Sequence, residues 1–249
     1  MSQNVIDTFG IQSYCFRHFK DNKVVAQKVK EIGLNSIELC AVHVNFDAPE
    51  TFDEVIEIYK NEGIEIVSIG VQGFGGNEEV ERNWFEFAKK AGAKFISAHF
   101  NVATFNEAIE VSTKLSKDYG IKLALHCHGG YMFGGSRDVV NHILSISGEE
   151  VGLCLDTAWC MQTGRANPVK WAEDFKDKLY GIHFKDFTFN PDGSWNDVVV
   201  GEGNLDLPAL VKTVNENSFQ GYAVLEYEAD VENPVPALKK CVDSMRNLK

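Results

Sequence analysis

The sequence predicts an α/β chain of the (β/α)8 TIM barrel class, folded as a single domain over residues 1–249. Three observations predict it. Eight short apolar runs alternate with helix-like segments. Four glycines, Gly33, Gly63, Gly92 and Gly120, recur at spacings of 30, 29 and 28 residues. Polar and titratable side chains collect where the apolar runs stop.

The opening strand is FGIQSY (9–14). LNSIEL, IEIVSIGV, AKFISAHF and IKLALHCH follow, each just after one of the four glycines. A glycine past a helix takes the left-handed conformation without steric cost, so each marks a helix end. The helical period puts Val80, Trp84, Phe87, Ala88 and Ala91 on one face, and Phe105, Ala108, Ile109 and Leu115 on another. Thr51 with Glu54, and Thr104 with Glu107, have capping-box spacing. The later strands are VGLCLD (151–156), LYGIHF (179–184) and YAVLEY (222–227). Helices are expected at 171–175, near 208–217 and near 235–247, and residues 187–205 read as an extra loop. An open doubly wound sheet would carry a glycine-rich phosphate turn after its first strand, and SYCFRHFKD has none.

Composition narrows the function classes. Hydrophobic residues make up 44%, an ordinary globular share. The 36 acidic and 24 basic residues leave a net charge of -12, which disfavours a general nucleic-acid binder. No run of 18 apolar residues is present, and MSQNVIDTFG lacks a basic and then apolar leader pattern. Neither a membrane span nor a signal peptide is expected. The six cysteines form no C-x-x-C pair and read as reduced, buried thiols of a cytoplasmic protein.

The strand ends carry Glu38, Gln72, His99, His126 with His128, Asp156, His183 with Lys185, and Glu226 with Glu228. Five of the seven histidines lie there, His43 included; His18 and His142 do not. In this fold class those ends form one mouth, where active sites sit. Alternation puts residues i and i+2 on one face, which pairs His126 with His128 and Glu226 with Glu228. His, Asp, His and Glu from successive strands would surround one divalent cation; imidazole and carboxylate together suit Mn, Zn, Fe or Co. Plainer readings stand beside this one. His99 is equally a hydrogen-bonded structural group, and Asp156 a helix cap before Thr157. Glu228 is solvated or pairs with a base, and His128 caps the Gly129–Gly130 turn. Trp159, Trp171 and Trp195 fill core or loop. GGSRD (134–138) reads as a helix start capped by Ser136, in preference to an anion site at Arg137.

The pieces LALHCHGG, GLCLDTAW, YGIHFKDF, VVVGEGNLDLPAL and YAVLEYE, in that order, resemble the sugar phosphate isomerase/epimerase family of xylose isomerase-like TIM barrels. The resemblance covers the whole chain and is strongest over 121–236. It implies one divalent metal ion (Mn, Zn, Co, Fe or Mg), held by Asp156, His183 and Glu226, with His126 standing where the family usually has glutamate. It also implies a small carbohydrate substrate. Trp159 replaces a histidine of the related DNA-repair endonucleases and, with the net charge, excludes that branch.

The expected activity is a metal-dependent isomerase or epimerase acting on a ketose or related keto-sugar. Glu226, or one of His126 and His128, moves the proton at carbon, and Lys185 hydrogen-bonds a substrate oxygen. Glu38, His99 and Trp159 are expected to contact substrate. A lyase or dehydratase using the same chemistry is the close alternative, because the strand-five glutamate is missing. A non-catalytic sugar-binding barrel ranks lower, because three family ligands remain and the fourth is competent. No nucleic-acid or membrane partner is expected, and the sequence leaves open whether the chain forms a homo-oligomer.

Overall fold

The computed structural model describes residues 4–130, 133–163 and 166–248; the first three residues of the stretch read above for a leader lie outside them. Among the described residues ten strands occur, in chain order β1 (Gly10–Gln12), β2 (Ser36–Leu39), β3 (Glu65–Phe74), β4 (Phe95–Phe100), β5 (Lys122–His126), β6 (Val151–Asp156), β7 (Leu179–Phe184), β8 (Asp186–Phe189), β9 (Trp195–Val198) and β10 (Tyr222–Leu225). All but β8 and β9 pair in parallel and close into a barrel, with β10 meeting β1 through Gly10–Val224 and Ile11–Leu225. Around the ring, β5, β6, β7 and β10 are consecutive. The segment expected as extra loop contains an antiparallel hairpin of β8 and β9.

The helices are α1 (Val5–Thr8), α2 (Asn22–Glu31), α3 (Phe52–Asn61), α4 (Glu78–Ala91), α5 (Phe105–Tyr119), α6 (Arg137–Ile146), α7 (Thr157–Gln162), α8 (Pro168–Asp174), α9 (Leu207–Glu216) and α10 (Val235–Arg246). Strands covered on both faces read as continuous apolar runs, and all six residues of β6 are buried. Each of the four spaced glycines follows a helix; Gly92 and Gly120 have φ of 79° and 68°, where a side chain is strained. Phe46, Phe52 and Phe87 seal the layer around α3 and α4, with ring centroids 5.0–6.4 Å apart. On α4, Val80 is exposed and Phe85 is buried in its stead.

Two capping expectations are corrected. Thr51 and Thr104 make no side-chain cap bond. Each ends a short 3-10 turn, Pro49–Thr51 and Val102–Thr104. Thr51 is therefore already helical, with φ -90° and ψ -10°. A capping side chain must leave extended backbone to reach the free N–H groups. The Thr51 hydroxyl instead donates backwards to the carbonyl of Ala48.

Buried carboxylates anchor two loops. Oε1 of Glu81 accepts the N–H groups of Gly75, Gly76 and Asn77 at 2.7–3.0 Å. Asp186 accepts those of Gly201, Gly203 and Leu205 at 2.9–3.0 Å. A Cβ on Gly203 would fall 2.3 Å from Asp186 Oδ1, so the loop needs glycine to come so close. Asp186→Ala leaves three donors without their acceptor, each such loss costing about 1–3 kcal/mol. The expected outcome is a loss of at least roughly 3 kcal/mol in urea unfolding, with faster amide exchange confined to 199–205. A loss under about 1 kcal/mol would show that the anchor is dispensable.

Candidate metal centre

Register assembles the site. His126 ends β5 opposite Cys154 of β6. Asp156 lies two residues further along β6, on the same face, and pairs with His183 of β7. Phe184 pairs with Leu225, and the N–H of Glu226 extends that ladder by donating to Phe184 at 3.0 Å. His126, Asp156, His183 and Glu226 are all buried. Each offers one ligand atom, and the four atoms lie within 4.8 Å of one another. This is the quartet that the sequence expectation named.

The polar accounting of this cluster fits a cation. His126 Nε2 and Asp156 Oδ2 face each other at 3.6 Å, and both are buried without a hydrogen bond. Buried polar atoms rarely stay unpaired, and an imidazole nitrogen and a carboxylate oxygen can both offer a lone pair to a cation. The other oxygen of Asp156 accepts the N–H of Trp159 at 2.9 Å. Asp156 is thus both the helix cap and a member of the quartet. His183 Nδ1 lies 2.8 Å from Glu226 Oε2. Burial opposes charge on His183, but Cys154, Glu38 and Glu226 outweigh it and hold the imidazole well above its usual range.

Other expected residues fall in different places. Glu38, expected to contact substrate, is 0% exposed. Its oxygens accept from Gln12 at 2.5 Å and Ser97 at 2.8 Å, and His183 Nε2 lies 3.0 Å away. Glu38 therefore lies behind the cluster, because the short strands β1, β2 and β4 turn their polar residues into the barrel.

Lys185 was expected to bond substrate oxygen, but it is 1% exposed and fully engaged. Its ammonium pairs with Glu228, with Asp197 at 3.3 Å and with Glu226 at 3.6 Å. Burial opposes its charge, and those carboxylates outweigh burial to keep it protonated. Burial raises the Asp197 carboxyl to about 6, against the pull of Lys185. Sequence reasoning missed Asp197 because 187–205 was read as undifferentiated loop. It also missed Gln12 and Ser97. The alternation that puts Ser97 on the face of His99 was the signal for the latter.

His128 lies beyond the end of β5. Its Nδ1 is 2.8 Å from the carbonyl of Gly129. A carbonyl only accepts, so Nδ1 carries the hydrogen and Nε2 keeps its lone pair. The ring stacks on Trp159 at 3.9 Å and lies 5.8 Å from the His126 ring. Trp159 in turn meets Trp195 of β9 at 5.4 Å, so the hairpin extends the aromatic wall. His99 is partly buried, and its Nδ1 has no partner. Gln72 is buried at the end of β3 with an unpartnered amide nitrogen. His43 is tied to the Phe19 carbonyl at 2.9 Å and is structural. The expected cap at Ser136 is also corrected: it occupies the cap position of α6 but makes no side-chain cap bond, and Arg137 pairs with Asp174.

All six cysteines are free and buried. Among the described residues, no helix is long and apolar enough to cross a membrane.

A family model described as a xylose isomerase-like TIM barrel matches residues 26–248. Among curated proteins, the chain is 26% identical over 133 residues to a rhizopine catabolism protein of Rhizobium meliloti, covering 48% of this chain and 40% of the relative. It is 25% identical over 140 residues to an inosose dehydratase of Clostridium beijerinckii, covering 49% and 46%. The match thus spans under half the length of these relatives. Among solved structures, a Mycobacterium smegmatis xylose isomerase-like barrel in complex with magnesium superposes with TM-score 0.76 at 14% identity, covering 99% of both chains. A 3-keto-D-glucoside 4-epimerase from E. coli superposes with TM-score 0.75 at 17% identity, covering 96% of this chain and 99% of the other.

The two oxygens of Asp156 can be separated by mutation. Asp156→Asn keeps an acceptor for Trp159 N–H, so stability is expected to hold. Calorimetric Co²⁺ affinity should drop by more than the roughly tenfold that loss of an outer partner costs. Asp156→Ala should add a stability loss of about 1 kcal/mol from the missing cap. Unchanged Co²⁺ affinity in both variants would leave Asp156 a cap alone.

Proposed function

The chain belongs to the xylose isomerase-like TIM barrel family, and on that footing we propose that it is a metal-dependent isomerase or epimerase of a ketose or related keto-sugar. The observation that carries this reading is the buried quartet of His126, Asp156, His183 and Glu226 with its unpartnered atoms. Those four residues would hold the ion, which supplies Lewis-acid polarisation of a substrate carbonyl.

The chain's own residues divide the remaining work. His128 has a lone pair on Nε2 and a ring fixed by Gly129 and Trp159. It takes the proton from the carbon beside the carbonyl and returns it. Trp159 and His99 contact the sugar. Lys185 does not reach for substrate; it steadies Glu226, whose carboxylate is held between His183 and the ammonium.

A second reading, a lyase or dehydratase on a keto-sugar or inosose, shares every step up to proton removal and then loses a β-hydroxyl. The likeness to an inosose dehydratase favours it, as does the absence of a second glutamate in the quartet.

Both readings are tested in deuterium oxide. Protein loaded with Mn²⁺, Co²⁺ or Mg²⁺ is incubated with ketoses, 3-keto-glucosides and inososes and followed by NMR. Deuterium entering the carbon beside the carbonyl with the skeleton conserved supports the isomerase or epimerase. Loss of water with a new enone absorbance supports the dehydratase. No exchange with any of the three substrate groups in metal-loaded protein would overturn both.

His128→Ala should keep the metal and lower turnover about 10²- to 10⁴-fold, the range of a lost acid–base group. His126→Glu should restore the family's usual ligand set and keep the metal. Metal content beside deuterium exchange checks both variants, and metal loss in His128→Ala would move His128 into the ligand set.

A further inference from the structure

His183 sits between two carboxylates. Its Nδ1 faces Glu226, a member of the quartet, at 2.8 Å. Its Nε2 faces Glu38 Oε1, behind the quartet, at 3.0 Å, although the N–H direction is not aligned for a hydrogen bond. Glu38 is fully buried beside the cluster, and its other contacts fix it. Gln12 is anchored to it and to the Gly70 carbonyl, at 2.5 and 3.2 Å. Ser97 donates to its second oxygen at 2.8 Å. A fixed, buried charge facing one ring nitrogen decides which nitrogen carries hydrogen.

We infer that Glu38 is a positioning residue: when a divalent cation takes the place of the hydrogen that His183 Nδ1 shares with Glu226, Glu38 keeps the remaining hydrogen on Nε2 and leaves the Nδ1 lone pair to the ion, so that it sets the affinity and ligand geometry of that cation. The inference rests on the metal reading above and gives Glu38 a task other than substrate contact. A carboxylate behind a ligating histidine fixes its tautomer and ring angle and strengthens it as a ligand. Nothing in such a role requires Glu38 to reach solvent, in keeping with its burial.

The test uses Glu38→Gln, which preserves shape and removes charge. Calorimetric titration with Co²⁺ should show affinity lowered roughly 10- to 100-fold, the usual cost of losing such a partner. The visible absorption of the bound Co²⁺ should shift, a signature that general loosening of the fold does not produce. In Zn²⁺-loaded wild type labelled with ¹⁵N-histidine, His183 should show a protonated Nε2 and a metal-bound Nδ1. Ser97→Ala removes one donor to Glu38 at little volume change. It should lower Co²⁺ affinity by roughly three- to tenfold, which keeps the test open if Glu38→Gln does not fold. Unchanged affinity and spectrum in these variants, or a His183 bound through Nε2, would overturn the inference and leave the metal reading standing. A wild type that takes up no Co²⁺ or Zn²⁺ would overturn both.

Discussion

Placing ionisable groups at the end of an apolar barrel is tolerated only when each charge meets a counter-charge or a donor. That constraint shapes the whole mouth of this protein. Lys185 is buried because Glu226, Glu228 and Asp197 surround it. Glu38 is buried because Gln12 and Ser97 occupy its oxygens. Several polar atoms at the mouth stay unpaired, among them His126 Nε2 and Asp156 Oδ2, which face each other. Two buried polar atoms of the quartet that face each other at 3.6 Å with no hydrogen bond are what supports reading the quartet as a cation site.

The same rule extends from the strands to the loops. Asp186 follows Lys185 directly, and its carboxylate folds the 201–205 turn back onto the hairpin. Asp197 crosses from β9 to reach Lys185, while its neighbour Trp195 packs on Phe187 and Trp159. One face of β9 thus contributes both charge to the buried network, through Asp197, and aromatic surface beside His128, through Trp195. The hairpin is fastened at both levels, as a wall beside a reacting carbon must be if water is to be kept out.

Much of this was legible in the sequence, for physical reasons. Strands buried on both faces leave apolar runs, helix ends need left-handed glycines, and parallel register delivers every strand end to one mouth. The quartet followed from those three facts and a family resemblance. Local hydrogen bonds were less legible. The Thr51 and Thr104 spacing was right for caps, but a preceding 3-10 turn had already made Thr51 helical. The inward turn of Glu38 was hidden because a strand-end carboxylate looks the same in sequence whether it faces solvent or another strand's serine. Asp197 was hidden because its partner is 12 residues earlier across a hairpin, where periodicity gives no signal.

The histidine at the end of β5 changes what the site can do. A glutamate there, the family's usual residue, would add a third carboxylate to Asp156 and Glu226 and serve as a second acid–base group. With His126 the quartet holds two carboxylates, whose charge a divalent cation would balance without excess on the proposed reading. Such an ion would be less damped by surplus negative charge, which would favour stabilising negative charge on a substrate oxygen. The acid–base group that this exchange removes has to come from outside the quartet. His128, two residues on and held by Gly129 and Trp159 with one nitrogen free, is placed to supply it. On the proposed reading, the ligand role and the proton-carrying role that a single glutamate can combine fall to two imidazoles on the same stretch of chain, His126 and His128.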